Sequence, residues 1–270
     1  MAANEIKPYD TADSKTRQVE AMFNNIAPTY DLLNHLLSLG IDRWWRHIAI
    51  KHVRKNYRKG SIVNILDVAT GTGDFALLAQ AKLNPQWVVG CDIADEMLRR
   101  AKAKAAERGL TDRVGFRHAD CAHLPFPDSE FDVVLSAFAL RNFADLDRCL
   151  SEIHRVMSPD AVAVIIDLCA PRRFPMRQLF SLYQHCIMPL MGRLFAHDRD
   201  AYSYLPRTMA AIPQGQDMAQ HFRQAGFTDV TYRYLPFGMC CMYVGGNRPS
   251  LPFGHLPLYG EKTIRMDSPT

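Results

Sequence analysis

The sequence predicts an α/β fold built on one mostly parallel sheet, and three observations carry that expectation. Between Ile62 and Cys169, five apolar runs rich in β-branched residues alternate with stretches of helical periodicity, the pattern of right-handed βαβ crossovers. A turn containing Gly71 and Gly73 ends the first of these runs and opens a helix. Two last apolar runs lie so close together in the chain that they can pair only antiparallel, which makes a seven-stranded sheet closed by a hairpin.

The strand segments are 62–69, 87–93, 114–119, 131–137, 161–169, 229–237 and 239–246. Helices are expected near 74–83, 95–108 and 145–157; the third starts at an Asp145 N-cap and presents Leu146, Leu150, Ile153 and Met157 on one face. Ser158-Pro159-Asp160 reads as a turn. Ahead of the sheet, Val19 to Tyr57 shows helical spacing broken by Pro28 and Gly40, so two or three short helices are expected there. Residues 1–16 are polar, lack periodicity and are expected to fray. After the fifth strand the alternation stops at a Met- and aromatic-rich helical region, about 174–211, followed by a helix near 216–225 that Gly226 closes. These features divide the chain into a flexible N-terminus (1–18), a helical cap (19–60), a ligand-binding core (61–170) and a helical insertion over the acceptor side (171–215). A last helix with the hairpin (216–247) and an irregular, proline-containing tail (248–270) complete it.

Composition fits this architecture. The chain has 270 residues, 48% hydrophobic and 22% charged, enough apolar surface for a sheet covered on both faces. A formal charge of +4 with scattered Lys and Arg does not ask for nucleic acid. No segment offers ~18 uninterrupted apolar residues and no signal-peptide pattern is present, so a cytoplasmic location is expected. Seven cysteines without a C-x-x-C pair, and histidines without ligand spacing, suggest neither a disulfide framework nor a metal site.

The chemistry concentrates at strand ends. Leu66-Asp67-Val68-Ala69-Thr70-Gly71-Thr72-Gly73-Asp74 joins a strand to a helix, and glycines there let backbone approach a ligand that a Cβ would exclude. As a bare pattern, Gly71-x-Gly73-x-x-Ala76 with Asp92 about twenty residues on also fits a dinucleotide fingerprint. Two features favour S-adenosylmethionine: Asp67 inside the strand end suits a cationic amino acid group better than a pyrophosphate, and the terminal hairpin belongs to class I methyltransferase sheets. Asp120 and Cys121, just past the third strand, are candidates for the adenine edge. An N-cap or turn role is the plain structural alternative for Asp120.

The segment MFNNIAPTYDLLNHLLSLGIDRWWR (22–46), then LDVATGTGD, then FALRN (138–142), resembles the UbiE/MenG quinone C-methyltransferase family in order and spacing. The likeness runs from about Val19 to Asn247; Tyr30-Asp31-x-x-Asn34 and Ser38-x-x-x-Asp42-x-x-Trp45 are its most specific parts. It implies a class I, Rossmann-like S-adenosylmethionine-dependent methyltransferase acting on ring carbon of a prenylated hydroquinone, with Thr72, Asp92, Asp120 and Cys121 on donor-binding positions. The substrate expected first is demethylmenaquinol, with the ubiquinone-pathway ring as alternative; an inactive scaffold of the same fold is a third reading. A peripheral contact at the inner face of the membrane accompanies these readings, with homodimerisation left open. The chain departs from the family at Ser158-Pro159-Asp160-Ala161, where Lys-Pro-Gly-Gly is usual, at Asp167, where Glu is usual, and at Asp42, where His is common.

Methyl transfer from a sulfonium needs an in-line nucleophile in a dry site, and a hydroquinone carbon becomes nucleophilic when a neighbouring hydroxyl loses its proton. Arg141 and Asn142 are therefore expected to hold the phenolate, with Tyr30, Asp31, His123 or Tyr204 passing the proton. The bland alternative for Arg141 is a structural ion pair. Met176, Leu179, Phe180, Tyr183, Ile187 and Met191 are expected to line a path for the prenyl tail, and Arg172, Arg173, Arg177 and Arg193 to meet the membrane surface. A packed core helix is the competing expectation for that segment.

Overall fold

The computed structural model describes residues 5–38, 40–57, 60–171, 174–182 and 199–248. In chain order these form α1 (Lys15–Leu37), α2 (Ile41–Asn56), β1 (Asn64–Val68), α3 (Asp74–Leu83), β2 (Trp87–Asp92), α4 (Asp95–Glu107), β3 (Val114–His118), β4 (Phe131–Ala137), α5 (Leu146–Val156) and β5 (Met157–Leu168). There follow α6 (Met176–Leu182), α7 (Arg199–Ala211), α8 (Gln216–Gln224), β6 (Thr228–Tyr234) and β7 (Cys240–Asn247).

The seven strands form one sheet in the order β3-β2-β1-β4-β5-β7-β6, with β1 to β5 parallel and β7 antiparallel to both β5 and β6. The period of two along each strand sorts side chains between two cores. Ile65, Val133, Leu135, Val164 and Ile166 face Trp45, Ala49 and Val53 of α2 and Phe75 and Leu77 of α3. Leu66, Val68, Val134, Ala163 and Ile165 face Leu150 and Ile153 of α5 and Met218 and Phe222 of α8. As expected, α5 starts at Asp145, whose carboxylate accepts from Arg148 N at 2.9 Å. Chain order reverses direction between β1 and β4, so the carboxyl ends of those neighbours open a crevice.

Three local expectations change. Pro28 does not break the first helical region: α1 runs through it as one helix of 23 residues, and only Gly40, at φ +75°, separates it from α2. Pro28 is exposed, while Phe23, Ala27 and Tyr30 on the other side pack on Ala94 and Met97. Burial of that apolar stripe offsets a proline cost of roughly 3 kcal/mol. The Ser158-Pro159-Asp160 turn is absorbed into β5, which begins at Met157; pairing with β4 shifts register between Phe131 and Val133, and Asp160 takes φ +67°. The extra residues form a bulge instead of a separate turn. Finally, the first described residues do not simply fray: Ile6 is 5% exposed and packs with Val19, Met22 and Tyr204. Buried Ile6 and Pro8, with the Gln18 side chain bonded to the backbone of Tyr9, Thr11 and Asp13, anchor a stretch of polar composition.

Candidate functional site

The crevice is a partly open cavity of about 390 Å³ whose wall includes Gly71, Asp92, Ile93, Asp120, Cys121 and Asn142. The sheet supplies its floor, since β1, β2 and β4 all end there. Thr16, Val19, Phe23 and Tyr30 of α1 close it from above. Of these, only Tyr30 was expected at the site; the i, i+4 spacing of Val19 and Phe23 was legible as a helix face, but not what that face covers.

The loop after β1 is held in place by two carboxylates. Asp67 Oδ2 accepts from Thr70 Oγ1 at 2.5 Å and from Ala76 N at 3.0 Å. Asp92 accepts from Gly71 N at 2.8 Å and from Ala94 N at 3.0 Å. Gly71, at φ +56°, turns its missing Cβ toward Tyr30, whose nearest atom would be 3.9 Å away, so the space in front of it is open to a ligand. Gly73 behaves differently. A Cβ there would meet Phe116 at 2.9 Å and Ala101 at 3.0 Å, so this glycine serves loop packing and does not line the cavity wall.

Thr72 also turns away from the cavity wall. Its hydroxyl donates to Asp31 at 2.6 Å and accepts from Lys104 at 2.9 Å, and Lys104 pairs with both Asp31 and Asp74. This network ties α1 and α4 to the glycine loop. Asp31, one of the proton-transfer candidates, is thereby committed to an ion pair. Asp120 caps the short turn after β3 by accepting from Ala122 N at 2.9 Å, the structural role weighed for it, while also lining the cavity. Cys121 sits on the same wall, with burial pushing its thiol well above the usual range, which makes it an apolar contact and not a nucleophile.

Arg141 lies buried beside the wall. Its guanidinium pairs with Asp167, and its backbone N–H donates to the same carboxylate at 3.0 Å. The Arg141 side chain therefore fulfils the ion-pair alternative, and Asp167, the position that departs from the resembled family, is what engages it. Asn142 lines the cavity and its amide donates to Phe138 O at 3.4 Å. Tyr204 of α7 is 2% exposed and off the cavity wall, its hydroxyl has no hydrogen-bond partner among the described residues, and burial raises its pKa to about 12. The segment foreseen as a tail path is only partly described: Leu179 is 54% exposed on α6, whereas Tyr183, Ile187, Met191, Arg172, Arg173 and Arg193 lie outside the described residues.

The motif around Ser38 and Trp45 is structural. Ser38 Oγ donates to Asp42 at 2.7 Å, Arg46 pairs with Asp42 at 2.6 Å, Trp45 meets Phe138 edge-on and the Arg46 guanidinium lies over the ring of Phe138, a residue of the cavity wall.

The electrostatics select the ligand's charge. Burial raises Asp67 to about 7, and burial likewise raises Asp92. Asp67 Oδ1 is buried without a partner. Asp92 lines the cavity while Asp67 lies buried behind the loop, and desolvated carboxylates so placed favour a cation over a pyrophosphate. The room at Gly71, the Asp92 carboxylate on the wall and the cavity volume fit a sulfonium amino acid nucleoside such as S-adenosylmethionine.

Comparison with known proteins agrees with this geometry. A solved S-adenosylmethionine-dependent methyltransferase from Aquifex aeolicus superimposes with a TM-score of 0.52 at 20% identity, over 73% of this chain and 89% of that one. Demethylmenaquinone methyltransferase of Bacteroides fragilis is 47% identical over 238 residues, 88% of this chain and 96% of the relative. The Porphyromonas gingivalis protein of the same name is 40% identical over 246 residues, 91% of this chain and 99% of that one. The profile of the ubiE/COQ5 methyltransferase family matches residues 11–247. With that match, the chain belongs to the ubiE/COQ5 methyltransferase family and is an S-adenosylmethionine-dependent methyltransferase.

Proposed function

We propose that this enzyme methylates ring carbon of a prenylated hydroquinone, converting demethylmenaquinol to menaquinol. The observation that carries the donor half is the buried, raised carboxylate of Asp92 on the cavity wall, which accepts from Gly71 N beside the open face of that glycine. The acceptor half rests on the two relatives named above, which the chain matches over nearly their full length.

In this reading Asp92 takes the ribose hydroxyls, Asp120 and Cys121 border the adenine, and Asp67 acts through the loop it braces. When bound, the donor supplies an electrophilic methyl group on a sulfonium. The chain's own part is to orient, to exclude water and to handle one proton. Tyr30, Phe23 and Phe138 give the cavity apolar walls that exclude water and raise the reactivity of both partners. The acceptor gives up a hydroxyl proton, its ring carbon takes the methyl group as the carbon–sulfur bond breaks, and the proton on that carbon then leaves as the oxygen regains one, a net release of one proton. Asn142, on the wall, is the group we assign to the acceptor's oxygen; the Tyr204 hydroxyl lies buried off that wall. Arg141, held by Asp167, contributes positive charge from behind. The prenyl tail keeps such an acceptor in a bilayer, so the enzyme works peripherally at the inner membrane face; no helix among the described residues is long and apolar enough to cross it.

Single-turnover incubation with methyl-labelled donor and a reduced, short-tailed demethylnaphthoquinone tests this. Label on ring carbon is expected. Label on oxygen, or transfer only to a benzenoid ring, would overturn the assignment.

A further inference from the structure

The first residue of α1 joins that helix to the turn that carries Asn142. Lys15 is 4% exposed, and its ammonium donates to Arg141 O at 3.3 Å and to Phe143 O at 3.2 Å. Those carbonyls flank Asn142, and both Asn142 and Phe143 line the cavity. The turn itself is short: Asn142 N donates to Ala139 O at 2.8 Å and Phe143 N to Leu140 O at 3.3 Å. A turn with so few internal bonds takes its position from what it docks against.

Neither helix formation nor burial favours a lysine at this position. The first turn of α1 holds no acid, and a cation at a helix start opposes the helix dipole. Burial lowers the Lys15 pKa to about 8, the direction expected of an ammonium taken out of water. A methionine would fill the same space without either cost, but it could not donate to the carbonyls. The chain before α1 supports the arrangement: buried Gln18 accepts from Tyr9 N at 2.9 Å and donates to Thr11 O and Asp13 O, which folds those residues against the helix start.

The helix over the cavity is thus tied twice. Thr16, next to Lys15, and Val19, Phe23 and Tyr30 line the cavity between the ties. At the other tie Asp31 accepts from Thr72 Oγ1 of the glycine loop and pairs with Lys104 of α4. Lys15 and Asp31 lie roughly 24 Å apart along the helix axis.

We propose that Lys15 is a positioning residue for the acceptor: it holds the carbonyls on either side of Asn142 and so fixes that side chain on the cavity wall, while Asp31 ties the same helix to the donor loop. The inference deepens the proposed function and rests on the assignment of Asn142 to the acceptor's oxygen.

The test compares the full wild-type chain with Lys15→Met, Lys15→Arg and Asp31→Asn, using a reduced, short-tailed demethylnaphthoquinone as acceptor. Lys15→Met should lower kcat/KM for the acceptor roughly 10- to 100-fold, as misplacement of a group near the reacting atoms does, while donor affinity by calorimetry and the melting temperature stay at wild-type values. Lys15→Arg, which keeps a cationic donor, should recover most of that loss. Asp31→Asn should show the reverse split, with donor binding weakened more than acceptor turnover. Hydrogen exchange measured without acceptor gives an independent readout: the amides of Asn142 and Phe143 should exchange faster in Lys15→Met and not in Lys15→Arg. Unchanged turnover in Lys15→Met would overturn the proposal, as would Lys15→Arg with slow exchange at Asn142 and no recovery of turnover. A Lys15→Met protein that fails to fold, melts well below wild type or loses donor affinity in step with turnover would make Lys15 a structural residue and overturn it too. If exchange responds as expected while wild type leaves the naphthoquinone unmethylated, the functional assignment fails and the tie between α1 and the turn stands.

Discussion

Asp67→Asn should remove a pH dependence that wild-type protein carries in this one carboxylate. Asp67 is 1% exposed, and burial lifts it from its ordinary 3.8 to about 7, against the opposing hydrogen bond from Thr70 and the charge of Arg46. The folded value lies above the unfolded one. Between them the folded chain holds a proton that the unfolded chain has released, so this contribution is full below the unfolded value and is lost as pH rises toward 7. The slope is about 1.4 kcal/mol per pH unit and the whole loss about 4 kcal/mol. Asparagine can keep its carbonyl toward Thr70 Oγ1 and Ala76 N, which both donate to the same oxygen, and it does not titrate. Urea unfolding of both proteins across this window should give a wild-type stability that falls relative to the variant as pH rises, then a constant difference above the folded value. Saturating donor should shrink the wild-type slope, because a bound cation favours the charged carboxylate. Parallel profiles for the two proteins would refute the reasoning, since every other titrating group is common to both.

Asp92→Ala should weaken donor binding by roughly 1.5–3 kcal/mol for each charge-assisted bond lost, read by calorimetry, and should also free Gly71 N and Ala94 N. Gly73→Val should act on stability before affinity, because its side chain would drive into Phe116 and Ala101 at a backbone φ of +82°; an unshifted melting temperature would contradict that packing. Arg141→Ala should cost about 3–5 kcal/mol in unfolding by stranding buried Asp167, and adding Asp167→Ala should recover part of it. If the double variant matches wild-type kcat/KM, the Arg141 charge has no part in turnover.

The fold was legible because its signals are repetitive. Period-two runs such as Ile65 to Val68 and Val133 to Leu135 each send alternate residues to two opposite cores, as a parallel sheet covered on both faces requires. Single-residue signals were less reliable. Pro28 was read as a breaker from its missing N–H, yet it sits on the exposed side of a helix whose opposite side is fixed by Ala94 and Met97. Asp160 was read as a turn former, but the positive φ it tolerates was used for a bulge against β4. In both cases the local preference was real and a contact distant in sequence decided how it was used.

The site shows the same division more sharply. The switch point located the crevice from strand order alone, and Gly71, Asp92, Asp120, Cys121, Asn142 and Tyr30 all stand on its wall. What sequence could not give was direction within the loop. Gly71 and Gly73 are the same residue two positions apart, both with positive φ, yet one leaves room beneath Tyr30 and the other is pressed by Phe116 from the neighbouring strand β3. Thr72 between them points at Asp31 of α1 and Lys104 of α4, residues 41 and 32 positions away. Each loop residue thus has a different neighbour. Only one of the two glycines is open toward ligand, and the other two positions couple the donor loop to the helices that cover it. A substitution at Gly71 should therefore be felt in donor affinity, whereas one at Thr72 should loosen α1 over the cavity.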